Sequence, residues 1–578
     1  MPRQAPAAGV QAVPACAPDD GWVKYNLRLV AFSRAACYAD DSSMEISEGS
    51  GVLMTIGETI RRLRAANKLT QEELAAQCGV STQAVQKWES DSYAPSLEKL
   101  ILLSKQFNIS LDALVLGNDA RTVEEQSKAC LLPDYEQLED WEAYVEKLDV
   151  EYTQLMQEGR DVAAYKQLFE QISHMPRGEY KARMADVLFD LAASLPMAAD
   201  YPYVEPSDLE GIRVTWAKDT PEDQTTAIPA LREHIAGAWY GRICGCLLGK
   251  TIEGIRTHEL LPLLRASGNY PMTRYIRRTD VTEDILRTTN FPLKGRCYAD
   301  ELTCMPADDD TNYVVLNQEL IEKYGRDFTP MDVGRMWLSK QSIYSYFTAE
   351  RVAFRNIVRG YAPPASALNK NPFREWIGAQ IRADYFAYIN PGRPAAAAEM
   401  AWRDASISHV KNGIYGEMWA AALIALAAVC KNVQEAIYAS LKFIPQQSRL
   451  HEHLLFVVRD YEEKLPQEEC FAHIHARWDE RQDHDWCHTI SNAEIVAAAL
   501  LYGEEDYGKS ICMAVQTGFD TDCNGATVGS VIGMCHGMGA IDPVWLKPVS
   551  GGLETGIFGL AKVNVEERID MTMRHIEG

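Results

Sequence analysis

Apolar positions recur at helical spacing through most of this chain. In "LTQEELAAQCGVSTQAVQKWES" (Leu69 to Ser90), Leu74, Ala75, Val80, Val85 and Trp88 fit two short helices that meet at Gly79. The stretch "WEAYVEKLDVEYTQLMQ" repeats its apolar residues every three or four positions, and beyond Thr226 long Ala-rich segments such as "MWAAALIALAAVC" carry the same period. Residues 1–53 hold no sustained period and are rich in Ala, Pro, Ser and Gly, which predicts a disordered extension. The pattern therefore divides the chain into that extension, a compact helical unit over 54–120, a helical connector over 121–225 and a large helical domain over 226–578. Pro and Asp breaks in "YPYVEPSDLEG" and "AKDTPEDQ" close the connector.

Composition narrows the function classes. A chain of 578 residues is too long for one ordinary core. Its net charge of −24 argues against a surface that binds polyanions as a whole, so any contact with nucleic acid must come from a local patch. The longest apolar run, Met418 to Cys430, falls short of the ~20 residues of a spanning helix, and no membrane partner is expected. The N-terminus lacks the apolar core of a secretory signal. The 14 cysteines include no Cys-x-x-Cys pair, which indicates neither a disulfide framework nor a structural zinc motif. A cytoplasmic protein with reduced thiols is the expectation.

The unit over 54–120 has the grammar of a helix-turn-helix. Thr70 caps a first helix whose opening turn holds Glu72 and Glu73, as suits a positive helix end. Gly79 supplies the permissive turn, Val80 plugs the angle and Ser81 caps the second helix. That helix presents Thr82, Gln83, Gln86 and Lys87, and Gln71 at the front of the first helix joins them as a DNA-binding candidate. Glutamines there can pair with base edges and Lys87 can reach phosphate. With "APSLEKLILLSKQFNISLDALV" following, the segment resembles the Cro/repressor-type (XRE) helix-turn-helix family, which implies DNA as partner and a homodimer on a two-fold site. The basic residues Arg61, Arg62, Arg64, Lys68, Lys87, Lys99 and Lys105 are matched by as many acids, so a helical dimerisation module that has lost DNA binding is the alternative.

In the large domain acidic residues cluster. Asp308, Asp309 and Asp310 stand in a row before an apolar helical pattern, and Asp520 and Asp522 precede another, "TDCNGATVGSVIGMCHG". Carboxylates gathered at two loop-to-helix junctions suit a hard divalent ion whose charge offsets their repulsion. Gly525, Gly529, Gly533 and Gly537 recur every four residues, which marks one face for close helix packing and a rigid mount for the acids.

"GRICGCLLGKTIEG", "DDDTNY", "HVKNGIYGEMWAAALIALA" and "GFDTDCNGATVGSVIGMCHG", in that order, resemble the ADP-ribosylglycohydrolase family. The resemblance implies an all-α domain that holds two Mg²⁺ ions and cleaves the bond at the anomeric carbon of an ADP-ribosyl group. Its first acidic motif, Thr-Asp-Asp-Thr, falls on Asp308 to Thr311 with Asp in place of the leading Thr. Its last, Gly-Gly-Asp-Thr-Asp-Thr, falls on Gly518 to Cys523, with Phe519 for Gly and Cys523 for Thr. The early family glutamate best matches Glu253. The expected metal ligands are then Asp308, Asp309, Asp310, Asp520 and Asp522, with Asp309 or Glu253 as catalytic base. His409, His488, Asn492 and Phe519 are candidates to line the substrate pocket, with helix capping or buried hydrogen bonding the alternative role of the first three. An ADP-ribosylated protein or a small ribosyl compound is the expected substrate. A nucleoside-type hydrolase, or a transcription regulator that senses a ribosylated ligand without turnover, are the alternatives.

Overall fold

The computed structural model describes residues 55–107, 109, 111–116, 143–224 and 227–577. The expected extension over 1–53 lies outside them, as does the first part of the connector. The chain divides into two compact units, Met1–Pro133 and Asp134–Gly578. Helices dominate both, and the sheet among the described residues is one antiparallel pair of two-residue strands, Leu553–Glu554 and Lys562–Val563. The fold is all-α, in line with the resemblance. No helix of the described residues is long and apolar enough to cross a membrane.

The first unit packs α1 (Ile56–Ala66), α2 (Gln71–Cys78), α3 (Thr82–Glu89), α4 (Leu97–Phe107) and α5 (Leu111–Leu116) around Ile60, Leu74, Val85, Trp88 and Leu103. Local chemistry fixes each boundary. Thr70 and Glu73 form a reciprocal capping box at the start of α2, Gly79 takes the left-handed conformation (φ 62°) that ends it, and Ser81 accepts from Ala84 N–H to start α3.

In the second unit, α6 (Leu148–Gln157), α7 (Lys166–Ser173) and α8 (Glu179–Ser194) build a small core around Leu155, Phe169 and Leu188. These helices come from the connector, yet they are bound into the larger unit. The buried guanidinium of Arg374 pairs with Glu151 (2.6 Å) and Glu158 (2.7 Å), one carboxylate at each end of the α6 region.

The centre of the unit is a seam between α9 (Leu231–Lys250) and α13 (Thr521–His536). Gly237, Gly241 and Gly245 face Gly533, Gly529 and Gly525 in antiparallel order, and Gly249 faces Thr521 and Asp522. A Cβ added at any of these glycines would overlap backbone of the facing helix. The two backbones are therefore in direct contact, a distance only glycine permits. Because the helices run antiparallel, the C-terminus of α9 and the N-terminus of α13 lie at the same end.

A carboxylate centre at two helix N-termini

At that end α10 (Asp309–Tyr324) also begins, with Asp308 as its N-cap accepting from Asp310 N–H (3.0 Å). Asp520 occupies the N-cap position of α13 and Asp522 lies in its first turn. Ligand oxygens from Asp308, Asp309, Asp310 and Asp522 all fall within 4.8 Å of one another. Asp520 lies on the wall of the same cavity, outside that group of four. The cavity, of about 610 Å³, is also lined by Glu253 from the turn after α9.

Basic residues of α9 hold the first acidic run in place. Lys250 Nζ contacts Asp308 Oδ2 (2.6 Å), and the Cys246 thiol donates to Asp308 Oδ1 (3.2 Å). Arg242, fully buried, contacts Asp310 Oδ1 (2.9 Å) and Asp384 Oδ2 (2.7 Å) and donates to Ile381 O (2.6 Å). Among the described residues, no Lys, Arg or His forms an ion pair with Asp309, Asp520, Asp522 or Glu253. Burial and then mutual repulsion push the carboxyls of Asp309 and Asp522 well above the usual carboxylate range. Burial, with Asp308 and Asp520 nearby, pushes Glu253 up to about 7.

Two buried oxygens, Asp310 Oδ2 and Asp522 Oδ1, have no hydrogen-bond partner. Orphaned carboxylate oxygens in a cluster of acids would be costly without a cation. The donor set is oxygen-rich, which fits a hard divalent ion such as Mg²⁺. Cys523 stands beside Asp310 and Asp522, so a thiol occupies the position where the family motif has a hydroxyl.

The structure places the other expected pocket residues elsewhere. Phe519 is fully buried against the His475 ring (5.1 Å). His488 is buried, accepts from Ile490 N–H to cap α12 (Thr489–Tyr502), and faces Glu375 (3.5 Å). Asn492 Oδ1 accepts from Asp520 N–H (3.1 Å) and from Asn524 Nδ2 (2.8 Å), which fixes the acidic loop from behind. His409 bonds Ser408 Oγ (2.8 Å) and borders a separate cavity. None of the four lines the carboxylate cavity.

Residues that the sequence reading did not single out complete the cavity wall. Trp376, Tyr344 and Trp486 give it aromatic faces. Lys147, just before α6, reaches it from the connector and pairs with Asp483 (2.7 Å). The signal for Arg242 and Lys250 was present in the sequence. They share a helix with the glycines at 237, 241, 245 and 249, spaced like those at 525 to 537.

Residues 227–572, more than half of the chain, match the family described as ADP-ribosylglycohydrolase. The chain belongs to that family. A second match, to the helix-turn-helix family, covers residues 60–114. A solved structure described as an ADP-ribosylglycohydrolase-related protein complex aligns with 60% of this chain and 98% of its own, at 19% identity and a TM-score of 0.39. The curated relatives align with the DNA-binding end. The HTH-type transcriptional activator BcrR of Enterococcus faecalis is 40% identical over 72 residues, which are 12% of this chain and 35% of that protein. The uncharacterized HTH-type transcriptional regulator YobD of Bacillus subtilis (strain 168) is 34% identical over 58 residues, 10% of this chain and 52% of its own. The immunity repressor protein of Bacillus phage phi105 is 35% identical over 75 residues, 13% and 51%. The chain thus spans from about a third to about half the length of these relatives.

In the helix-turn-helix unit of this ADP-ribosylglycohydrolase-family chain, Gln83, Gln86 and Lys87 are exposed on α3 and Thr82 is half-buried. Gln71 is half-buried and donates to Glu89 Oε2 (2.8 Å). Three of the basic residues serve the fold: Arg64 pairs with Glu89, Arg61 donates to Glu89 O and Lys99 donates to Cys78 O (2.7 Å).

Proposed function

We propose that the second unit hydrolyses the glycosidic bond of an ADP-ribosyl or related ribosyl N-glycoside in a Mg²⁺-dependent reaction, and that the first unit brings this activity to DNA. The observation that carries the reading is the set of carboxylates at two helix N-termini, with orphaned oxygens, at one end of a 610 Å³ cavity. Asp308, Asp309, Asp310, Asp520 and Asp522 would hold the metal. Bound there, a divalent ion supplies charge neutralisation and Lewis acidity toward water and the ribose hydroxyls.

The chain's own groups account for the rest. Trp376, Tyr344 and Trp486 offer faces on which a nucleobase or ribose can rest. The negative field of the acids favours the oxocarbenium-like transition state of ribosyl cleavage. Glu253, raised by burial, and Asp309, half-buried on the cavity wall, are the groups positioned to take a proton from the attacking water at a carboxylate oxygen. Lys250 and Arg242 pin Asp308 and Asp310, so the acids are fixed before substrate arrives.

DNA binding by the first unit is supported by its capped helix pair and by the exposure of Gln83, Gln86 and Lys87. A role on DNA fits the expected cytoplasmic location.

A second reading is favoured by Cys523: a thiol beside Asp310 and Asp522 weakens a hard metal site, as would suit a regulator that binds a ribosylated ligand without turnover. One assay separates them. The purified chain with Mg²⁺ is incubated with ADP-ribosylarginine, ADP-ribosylserine, ADP-ribose and simple nucleosides, and sugar release is followed. Release from an ADP-ribosyl substrate supports the hydrolase, and release from nucleosides alone narrows it to a riboside hydrolase. Saturable binding without release supports the sensor.

A further inference from the structure

A different set of donor groups meets at the far end of α13. Cys535 and His536 close that helix, and Glu505 lies in the turn after α12. The Glu505 carboxylate accepts from Val433 N–H (3.2 and 3.3 Å) at the start of α11 (Val433–Ser440), and it faces His536 Nε2 (2.5 Å). One ligand atom each from Glu505, Cys535 and His536 lies within 4.8 Å of the others. Among the described residues, the remaining groups of this kind all belong to the carboxylate centre. Cys430, in the turn before Val433, is near enough for its thiol to act electrostatically on Cys535.

The donors are one sulfur, one nitrogen and one oxygen. That set disfavours Mg²⁺ and suits borderline ions such as zinc. Zinc bond lengths of about 2.0–2.3 Å in a tetrahedron put ligand atoms roughly 3.3–3.8 Å apart. His536 Nε2 and the Glu505 carboxylate, 2.5 Å apart, therefore need to separate by about 1 Å and the Cys535 thiol, within 4.8 Å of both, to close by up to about 1 Å, changes within reach of side-chain rotation because His536 and Glu505 are both partly exposed. No sequence motif announces the arrangement, since only Cys535 and His536 are neighbours in the chain.

We propose that Glu505, Cys535 and His536 form a binding site for a thiophilic divalent ion, zinc foremost. The site is separate from the carboxylate centre. From Asp522 to His536 is 14 residues, or about 21 Å of helix. Its role is structural: an ion here ties the end of α13 to the turn after α12 and to the start of the helix at Val433. The helix that carries Asp520 and Asp522 would then be anchored at both ends.

The test uses the full chain, stripped with chelator and returned to excess Mg²⁺ to fill the carboxylate centre. Co²⁺ serves as the spectroscopic probe and Zn²⁺ as the competitor. The expected result is a thiolate-to-cobalt charge-transfer band in the near ultraviolet that one equivalent of Zn²⁺ removes. Cys535→Ser should abolish the band, and His536→Asn should weaken Zn²⁺ binding at least tenfold. Cys246 and Cys523 lie at the carboxylate centre, so a band that persists in Cys535→Ser would assign the sulfur there and overturn the proposal. Absence of Mg²⁺-resistant Zn²⁺ binding in the wild type would also overturn it. Should Cys535→Ser fail to fold, His536→Asn decides: undiminished Zn²⁺ affinity in that variant refutes the site.

Discussion

The glycine seam allows the same steric insult to be delivered at the carboxylate centre and far from it. Gly249→Ala puts a methyl against the Thr521 carbonyl and the Asp522 N–H, and Gly237→Ala puts one against Gly533 O at the other end. Each new Cβ would sit more than about 1 Å inside ordinary contact at 3.4 Å, and the obstruction is helix backbone, which cannot rotate away. Overpacking of this kind costs about 1–3 kcal/mol, and the upper end applies where backbone must move. Replacing a helical glycine returns up to about 1 kcal/mol of helix propensity, in full at Gly237 and in part at Gly249, the penultimate residue of α9. Both variants should therefore lose about 2 kcal/mol, a fall of a few degrees in Tm for a unit of this size. Their effect on metal should differ. Gly249 is 12 residues, about 18 Å, from Gly237, and only its methyl displaces Asp522 relative to Asp308. Calorimetric Mg²⁺ titration should show at least a tenfold weaker affinity for Gly249→Ala and wild-type affinity for Gly237→Ala. Equal loss of Mg²⁺ binding in both would refute the argument that the seam positions the centre locally, and unchanged melting in both would refute the backbone contact itself.

Asp522→Asn should keep the fold and melt at or above the wild-type temperature in metal-free buffer, because it relieves repulsion from Glu253, Asp520 and Asp308, while Mg²⁺ affinity and turnover fall by orders of magnitude. Unchanged Mg²⁺ binding would remove Asp522 from the ligand set. Lys147→Met should raise KM about tenfold for a phosphate-bearing substrate with kcat held, and leave a neutral riboside unaffected; equal effects on both would mean that Lys147 serves only its pair with Asp483. In DNA selection experiments Gln83→Ala should relax a sequence preference and Lys87→Ala should lower the salt dependence of binding, and a random pool that enriches no motif would count against the DNA-reading role. His484 accepts from Trp376 Nε1 (3.3 Å) and its Nε2 faces Gln157 Oε1 (3.0 Å), a neutral tautomer held low by burial, with His488, Arg449 and Arg374 lowering it further and Glu375 opposing. Its contribution to stability is present above the unfolded value of 6.5 and is lost as pH falls through the folded value, so the fall in Tm below pH 6.5 should be shallower in His484→Gln, and an identical slope would refute the linkage.

Legibility followed how locally each residue acts. The helix-turn-helix could be read residue by residue because Thr70, Gly79 and Ser81 each do work that neighbours within a few positions complete. The acids were visible as runs, but that Asp308 and Asp522 share a site is a contact across more than two hundred residues, which the motif resemblance supplied and periodicity could not. His409, His488 and Asn492 precede helical runs, a position open to a pocket role and to a capping one. His488 and Asn492 take the second kind, as a helix cap and a support of the acidic loop.

The glycine stripe shows where such reading stops. Gly525 to Gly537 announce a helix face that another helix approaches closely, and sequence alone names no partner for it. Gly237 to Gly249 carry the same spacing, and a stripe so close-packed can only be satisfied by another stripe. The pairing in turn accounts for the cations: whichever residues end the first striped helix must lie beside those that begin the second. Lys250 follows Gly249, and Asp520 and Asp522 flank Thr521, so an antiparallel pairing of the two stripes puts that lysine among the acids without further assumption. Lys147 admits no such argument. It precedes an amphipathic helix that would look the same if it ran free through solvent, and contacts distant in sequence, the buried Arg374 pairs with Glu151 and Glu158 and the Gln157 contact with His484, hold that helix against the larger core. What the chain buries is written in its period, whereas what it is buried against needs a second surface whose demands fit the first.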